Sequence, residues 1–146
     1  MSHTFHKMWI HAIWSTKERN PLLSTNIEKQ VYDYMHLQFA ELNCKADIIN
    51  GMPDHIHCLF QLNPDIAVEK ILKQVKGSTS HFINHNDLIP EKFSWQTGYA
   101  TFSVSESQKN KVKKYIENQK AHHIKKTFMQ EYEEFMHLYG FGQGLN

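Results

Sequence analysis

Residues 52–61 read MPDHIHCLFQ, a turn signal followed by a run of strand-forming residues that carries two histidines two positions apart. Successive side chains of a strand point to opposite faces of a sheet, so His55 and His57 would lie side by side, with Ile56 and Cys58 on the other face. Two neutral imidazoles in that position could bind a divalent metal. The same spacing is equally typical of two half-exposed strand histidines without a metal, so other motifs have to decide.

The segments that precede this stretch predict its neighbours in a sheet. Residues 45–50 form a short apolar run that ends at Asn50-Gly51. An Asn-Gly pair between two such runs predicts a tight antiparallel hairpin, whose second strand ends near Leu62. Residues 7–14 are largely apolar on both faces and rich in strand formers, which predicts a central first strand.

Helical patterns separate the predicted strands. A capping box of Thr25 and Glu28 opens a helix over residues 26–42. A second helix begins at residues 64–65 and keeps an apolar period near 3.6. Gly77 interrupts that helix at some cost in stability, which indicates close packing or a contact at this position rather than a helix end.

The last third of the chain predicts one strand and two helices. Residues 99–104 alternate apolar and polar side chains and form the fourth strand. Two helices follow it, each opened by a capping pair: residues 105–126, with Ser105 and Gln108, and residues 127–139, with Thr127 and Gln130.

This order of elements predicts an α+β fold. Strand, helix, strand, strand, helix, strand is the ferredoxin-like, or RRM-like, βαββαβ arrangement, in which two helices pack on one face of an antiparallel sheet. The last two helices form a C-terminal extension. Because no internal repeat or linker interrupts the pattern, we expect residues 1–146 to form one domain.

The composition is that of an ordinary globular chain, with 40% hydrophobic and 21% charged residues over 146 positions. No run approaches the roughly 20 apolar residues that cross a bilayer, and the N-terminus lacks the basic and apolar regions of a signal peptide. We therefore expect a cytoplasmic protein with no membrane partner. Cys44 and Cys58 are too few for a structural zinc cluster and are expected as free thiols.

The formal net charge is only +1, but the charge is unevenly distributed. Residues 107–126 carry seven lysines against the single acid Glu117, a local charge of +6 that leaves −5 for the rest of the chain. A lysine run is usually a solvated helix face. The alternative is a surface that contacts the phosphates of a nucleic acid.

Tyr115 and Gln119 lie four residues apart within this basic segment. On a helix they would share one face, one turn apart, and could present a nucleophile beside a metal ligand. Tyr115 also continues an apolar stripe with Val112 and Ile116, so a role in the core is the alternative.

Four ordered motifs resemble those of a known family. They are MPDHIH at residues 52–57, KGSTS at 76–80, WQ with GY at 95–99, and YIENQ at 115–119. In their order and spacing, over residues 5–139, the chain resembles the single-tyrosine transposases of the HUH nuclease superfamily, known as IS200-like transposases. These small enzymes move insertion sequences as single-stranded DNA.

The resemblance implies a function, a site and an assembly. It implies a DNA transposase that cleaves and rejoins single-stranded DNA at hairpin-bearing element ends, with Tyr115 as nucleophile and a 5′-phosphotyrosine intermediate. His55, His57 and Gln119 would bind Mg²⁺ or Mn²⁺ without a carboxylate, and no nucleotide cofactor would be needed. The family also implies a homodimer in which the tyrosine helix of one chain reaches the histidines of the other.

Contacts to the DNA are expected from basic and polar residues of two motifs, the KGSTS run and the lysine-rich helix. These residues are Lys76, Ser78, Lys109, Lys111, Lys113, Lys114 and Lys120. Asp54, which precedes the histidine pair, is assigned a role in the turn.

Three alternatives remain open from the sequence. A catalytically silent relative could bind hairpins of single-stranded DNA or RNA on its sheet, where Trp9 and Tyr99 supply aromatic surface. A domesticated relative would keep the chemistry and process palindromic repeats. A zinc-dependent hydrolase of small molecules is less favoured, since Tyr115 and Gln119 would then have no evident role.

Overall fold

A computed structural model describes residues 3–122 and 126–138 of the chain. The strands are β1 (Trp9–Ser15), β2 (Ala46–Met52), β3 (His55–Gln61) and β4 (Ala100–Val104). The helices are α1 (Thr25–Glu41), α2 (Val68–His85), α3 (Lys109–Glu117), α4 (Gln119–His122) and α5 (Phe128–Leu138), with a 3₁₀ turn at Lys17–Arg19. All strand pairs are antiparallel in the order β2-β3-β1-β4, which confirms the ferredoxin-like prediction.

The first face of the sheet carries the main apolar core. From β3, Ile56, Cys58 and Phe60 point into it, as the alternation of strand side chains requires. Helices α1 and α2 cover this face with the apolar side of each helix, for example through Phe39 and Leu72. The pattern of two helices on one face is therefore confirmed.

The second face of the sheet is covered by the C-terminal extension. Ile116 of α3 packs against Trp9 and Leu59, while Phe135 of α5 packs against Ile13. Because both faces are covered, β1 needs apolar side chains on both sides, which explains its two-sided pattern.

The hairpin between β2 and β3 turns at a different place from the one predicted. Asn50 and Gly51 lie inside β2, and the turn is formed by Pro53 and Asp54. Gly51 is required by packing and not by a turn, since a Cβ atom there would lie 2.2 Å from the carbonyl oxygen of His55. Proline has no backbone N–H to donate to the ladder, which favours the end of the strand at this point.

Several helices begin at residues other than those that the sequence predicted, or without the predicted side-chain caps. The predicted capping box at Thr25 is not formed, because α1 begins after Ser24 without a side-chain hydrogen bond at its cap. Helix α2 begins at Val68, later than predicted. The cap predicted at Ser105 is also absent, and α3 begins after Gln108.

The third predicted helix is broken into two. It ends at Glu117 instead of continuing to Lys126, and α4 begins at Gln119. The side-chain amide of Asn50 in β2 donates to the carbonyl oxygen of Ile116 at 2.9 Å and so satisfies a backbone group at the helix end.

The capping box that opens α5 is confirmed. The backbone N–H of Thr127 donates to Gln130 Oε1 at 2.9 Å, and the N–H of Gln130 donates to Thr127 Oγ1 at 3.2 Å. Tyr139, at the predicted end of this helix, lies outside the described residues.

Two further observations concern the chain as a whole. Cys44 and Cys58 are buried free thiols, as predicted. Within residues 3–122 and 126–138, no helix has the length and apolar character needed to span a membrane.

The glycines of β2 and α2 allow a matched test of the fold. Gly51→Ala should lower the free energy of unfolding by about 1–3 kcal/mol, because the added Cβ overlaps the hairpin backbone. Gly77→Ala has open space around the added Cβ and should raise the free energy of unfolding by up to about 1 kcal/mol through helix propensity. Urea denaturation of both variants checks the pair. A Gly51→Ala protein as stable as the wild type would contradict the close approach.

Candidate active site

The two histidines of β3 lie on the second face of the sheet, beneath the C-terminal helices. His55 and His57 are both 0% exposed, and their ring centroids are 5.3 Å apart. The prediction that they share one face is confirmed. The prediction that they are half-exposed, which belonged to the metal-free alternative, is wrong.

A carboxylate from α5 reaches both histidines. Glu131 is only 1% exposed, and its Oε1 lies 2.8 Å from His57 Nε2 and 3.2 Å from His55 Nε2. The ligand atoms of these three residues all lie within 4.8 Å of one another. Both imidazoles therefore point their Nε2 atoms at one carboxylate oxygen.

Tyr115 and Gln119 meet the second oxygen of the same carboxylate. The hydroxyl of Tyr115 donates a hydrogen bond to Glu131 Oε2, and Gln119 Nε2 donates to that oxygen at 2.7 Å. Gln119 Oε1 lies 3.1 Å from His55 Nε2. The helix break at Asn118 does not separate Tyr115 from Gln119. The four predicted site residues thus lie together within one chain.

Each histidine has a second partner on its Nδ1 atom. Asp54 Oδ1 lies 2.8 Å from His55 Nδ1, so this residue contacts the site as well as forming the turn. His11 Nε2, from β1, lies 2.8 Å from His57 Nδ1. Such outer partners orient imidazoles that serve as ligands.

Electrostatics keep the centre of the cluster charged. Burial acts to raise the pKa of Glu131, but hydrogen bonds with His55 and His57 outweigh it and hold the pKa well below its usual value. Burial likewise opposes the charged form of His55, yet its contacts with Asp54 and Glu131 raise its pKa. Glu131 is therefore an anion that favours a protonated His55 in the metal-free protein.

The two remaining rings are held neutral. Burial first, and then the hydrogen bond to the Glu131 carboxylate, raises the pKa of Tyr115. Burial, together with the neighbouring His57, lowers the pKa of His11 well below its usual value. Tyr115 therefore keeps its proton, and His11 contributes no charge to the cluster.

Sequence reasoning missed Glu131 and His11. A signal for Glu131 exists, because the residue lies on the same face of α5 as Phe128 and Phe135, and an acid within an apolar stripe is unusual. His11 likewise interrupts the apolar face of β1 between buried neighbours.

The donor atoms fit a divalent cation. Two imidazole nitrogens and a carboxylate oxygen converge here, whereas the sequence predicted a set without a carboxylate. A carboxylate is a ligand that Mg²⁺ and Mn²⁺ favour. His55, His57 and Glu131 are thus suited to holding such an ion.

Much of the predicted basic surface is engaged within the chain. Lys109 and Lys113 each lie 3.5 Å from a carboxylate oxygen of Asp47, and Lys120 lies 3.0 Å from Glu28. These three lysines therefore form ion pairs within the chain, which is a structural role. Lys111 and Lys114 are exposed, and the described part of the chain offers them no ion pair.

The KGSTS motif also makes internal contacts. Lys76 Nζ donates to the backbone carbonyls of Gln96 at 3.1 Å and Gly98 at 2.9 Å, which joins this motif to the WQ and GY motif. Ser78 Oγ donates to the carbonyl of Gln74 at 2.8 Å. Both residues therefore contribute to local structure.

A family profile described as "Transposase IS200 like" matches residues 4–119. The chain belongs to this family. The transposase is 27% identical over 114 residues to the ISDra2 transposase TnpA of Deinococcus radiodurans, which covers 75% of this chain and 81% of that protein. Membership places the chain among enzymes that process DNA.

Two solved structures share the fold of this transposase. A crystal structure of a candidate transposase from Deinococcus radiodurans R1 aligns with a TM-score of 0.64 at 22% identity, over 82% of this chain and 96% of that one. A REP-associated tyrosine transposase bound to a REP hairpin aligns with a TM-score of 0.59 at 15% identity, over 84% of this chain and 74% of that one.

The charges of the site predict how stability depends on pH in the metal-free transposase. Folding raises the pKa of His55, so its contribution is complete below about pH 6.5 and is lost as the pH rises through the folded-state pKa. Folding lowers the pKa of Glu131, so its contribution is present above about pH 4.5 and is lost as the pH falls. These two groups together contribute most to the free energy of unfolding between these values, whereas His11, whose pKa folding lowers, opposes folding as the pH falls below about 6.5.

Glu131→Gln should flatten both sides of that pH profile, as measured by urea denaturation in EDTA. The matched control is Glu133→Gln, on an exposed position of the same helix, which should keep the profile of the wild type. An unchanged profile in Glu131→Gln would show that the cluster does not set the pH dependence.

Proposed function

We propose that this chain is a metal-dependent tyrosine transposase that cleaves and rejoins single-stranded DNA through a 5′-phosphotyrosine intermediate. The observation that carries the proposal is the convergence of Tyr115 and the histidine pair on the carboxylate of Glu131. A nucleophile, a candidate metal-ligand set and a hydrogen-bond acceptor for the tyrosine hydroxyl thus lie within one cluster.

His55, His57 and Glu131 would hold a divalent cation, Mg²⁺ or Mn²⁺, with Gln119 as a further ligand. When bound, the cation supplies positive charge that makes a phosphodiester easier to attack and stabilises the leaving oxygen. The Nδ1 atoms of His55 and His57, on the side of each ring away from the site, contact Asp54 and His11.

Tyr115 is the proposed nucleophile. Its oxygen forms a bond to phosphorus while the bond from phosphorus to the 3′ oxygen breaks, and the 5′ phosphate stays on the tyrosine. Glu131 Oε2 accepts the hydrogen bond of the tyrosine hydroxyl and orients its oxygen, the tyrosine proton passes to solvent as the bond to phosphorus forms, and the departing 3′ oxygen takes up a proton. Attack by a 3′ hydroxyl reverses the step and rejoins the strand, so no nucleotide cofactor is needed.

The proposed chemistry requires that DNA reach Tyr115 and the histidine pair. Tyr115 is only partly buried and borders an open groove of about 520 Å³, whose walls include Ser103, Val112, Glu134 and Leu138. The histidine pair, in contrast, is fully covered. DNA would therefore meet Tyr115 from the groove, and α5 would have to shift before a phosphate could reach the histidines.

The proposed DNA partner is a single strand that carries hairpins, supported by the fold shared with a transposase bound to a REP hairpin. Lys111 and Lys114 are the exposed lysines of α3 and are proposed to contact phosphates. Gly77 supports a second contact surface, since a Cβ atom there would meet no other described atom within 4 Å and a close approach by DNA would explain a helix glycine.

A homodimer with shared active sites remains part of the proposal. Tyr115 and Glu131 belong to the C-terminal extension, whereas the histidine pair belongs to the sheet. The two parts meet through side chains such as Phe128 and Phe135, and the same apolar surface could dock on the sheet of a second copy. The resemblance to the family favours such a dimer, in which the tyrosine helix of one chain reaches the histidines of the other.

A catalytically silent hairpin-binding protein is the second candidate, and the burial of the histidine pair favours it. Tyr99, which is 40% exposed, would supply a surface on which bases stack. Formation of a covalent intermediate separates this candidate from an enzyme.

The central test is a covalent adduct on Tyr115. Incubation with Mn²⁺ and single-stranded DNA from the regions that flank the gene should give a protein–DNA adduct that survives denaturation. Tyr115→Phe should abolish it because the attacking hydroxyl is removed, whereas Tyr99→Phe, at an exposed tyrosine, should leave it intact. An adduct of normal yield in Tyr115→Phe would assign the nucleophile to another residue. Binding without an adduct in the wild type would favour the silent candidate.

Mixing two inactive variants tests the shared site. Tyr115→Phe and His57→Ala, expressed together, should regain adduct formation, because one of the two sites in a heterodimer then has an intact tyrosine and intact histidines. Tyr115→Phe mixed with Glu131→Gln is the control and should stay inactive, since both changes affect the same extension. Continued inactivity of the first mixture, or a monomer by light scattering, would show that each chain builds its own site.

A further inference from the structure

His11 is a buried histidine of β1 that the proposed chemistry does not use directly. It is 0% exposed and lies on the second face of the sheet, with ring centroids 5.1 Å from Phe135 and 6.0 Å from Phe102. The ring stacks on His57 at a centroid distance of 5.1 Å. An apolar side chain would suit these neighbours at least as well.

An imidazole at this position costs stability. Its Nδ1 atom is buried and has no hydrogen-bond partner among the described residues. A buried polar atom without a partner destabilises the folded state, because its hydrogen bonds to water are lost on folding and are not replaced. The stability of the core therefore gives no reason for a histidine here, and the polar contact that it makes among the described residues has to explain it.

That contact is the 2.8 Å approach of His11 Nε2 to Nδ1 of His57. One of these nitrogens must carry a proton and the other a lone pair, so the contact fixes the orientation of the His57 ring and couples its tautomer to that of His11. A half-turn of that ring would replace the nitrogen with a carbon and lose the hydrogen bond. The contact thereby directs Nε2 of His57 towards Glu131 Oε1, at 2.8 Å.

His55 has a corresponding partner in Asp54, which lies 2.8 Å from its Nδ1 atom. Nδ1 of each site histidine therefore has a partner. For His55 the partner is a carboxylate at a turn, and for His57 it is a buried imidazole. When Nε2 of His57 offers its lone pair to a ligand, Nδ1 carries the proton, and the neutral His11 accepts it as a hydrogen bond.

We propose that His11 is a positioning residue that holds the His57 ring with Nε2 facing the metal-binding cluster. This inference rests on the proposed function, because the orientation of His57 matters when that residue holds a cation. His11 itself contacts neither the reacting atoms nor the cation.

The test compares three variants of the full chain. His11→Leu removes the polar contact and fills similar space, whereas His11→Gln keeps an oxygen acceptor that can reach His57. Ile13→Val is the matched packing control, since Ile13 lies two residues along the same strand and face and pairs with His57 in the register of the sheet. Binding of Mn²⁺ alone, without DNA, is measured by calorimetry and by electron paramagnetic resonance.

His11→Leu should weaken Mn²⁺ binding by about tenfold or more, the usual effect of losing an outer partner of a ligand. Its free energy of unfolding in EDTA should equal or exceed that of the wild type. His11→Gln and Ile13→Val should bind Mn²⁺ nearly as well as the wild type. NMR of the ring nitrogens with Mg²⁺ should show one tautomer of His57 in the wild type and a mixture in His11→Leu.

Two results would overturn the inference and leave the proposed function in place. One is Mn²⁺ binding by His11→Leu equal to that of the wild type. The other is an equal loss of binding in Ile13→Val, which would make the effect one of packing. A wild-type protein that binds no Mn²⁺ would overturn both this inference and the metal dependence of the proposed function.

Discussion

The carboxylate of Glu131 connects the separate parts of this protein. Its Oε1 meets both histidines of β3, and its Oε2 accepts hydrogen bonds from Tyr115 and Gln119. A buried donor without an acceptor costs about 1–3 kcal/mol, and removal of this one anion would take a shared acceptor from polar groups of α3, α4 and β3. The order of the site in the absence of DNA depends on this single side chain.

The sheet links the site to the stability of the fold. On β3, one set of alternating residues belongs to the core under α1 and α2, and the other set holds the histidine pair. Gly51 lies against the backbone of His55, so the hairpin that aligns the strands also positions the first site histidine. A change in strand register would move both histidines into the apolar core, which is a strong constraint on the register.

The parts of the structure that depend on local sequence patterns could be predicted from the sequence. The shared face of His55 and His57 follows from strand alternation, and the approach of Tyr115 to them follows from resemblance. The apolar stripe of α5 marks Glu131 as unusual, but its contact with the histidine pair could not be predicted this way, because that contact depends on where α5 docks, 74 residues from His57. The pairing of Asp47 with two lysines of α3 is likewise a tertiary contact that charge patterns do not predict.

The docking of α5 combines two kinds of interaction with different consequences. Apolar contacts, such as those of Phe135 with Ile13 and Phe102, favour the covered state in proportion to the area they bury. The buried charges add less, since much of their attraction offsets the cost of removing them from water. Movement of α5 would therefore mainly cost the apolar contacts. Bound DNA and a cation would have to compensate for that loss, so the packing of α5 on the sheet, more than the chemistry of the cluster, determines how readily the site opens.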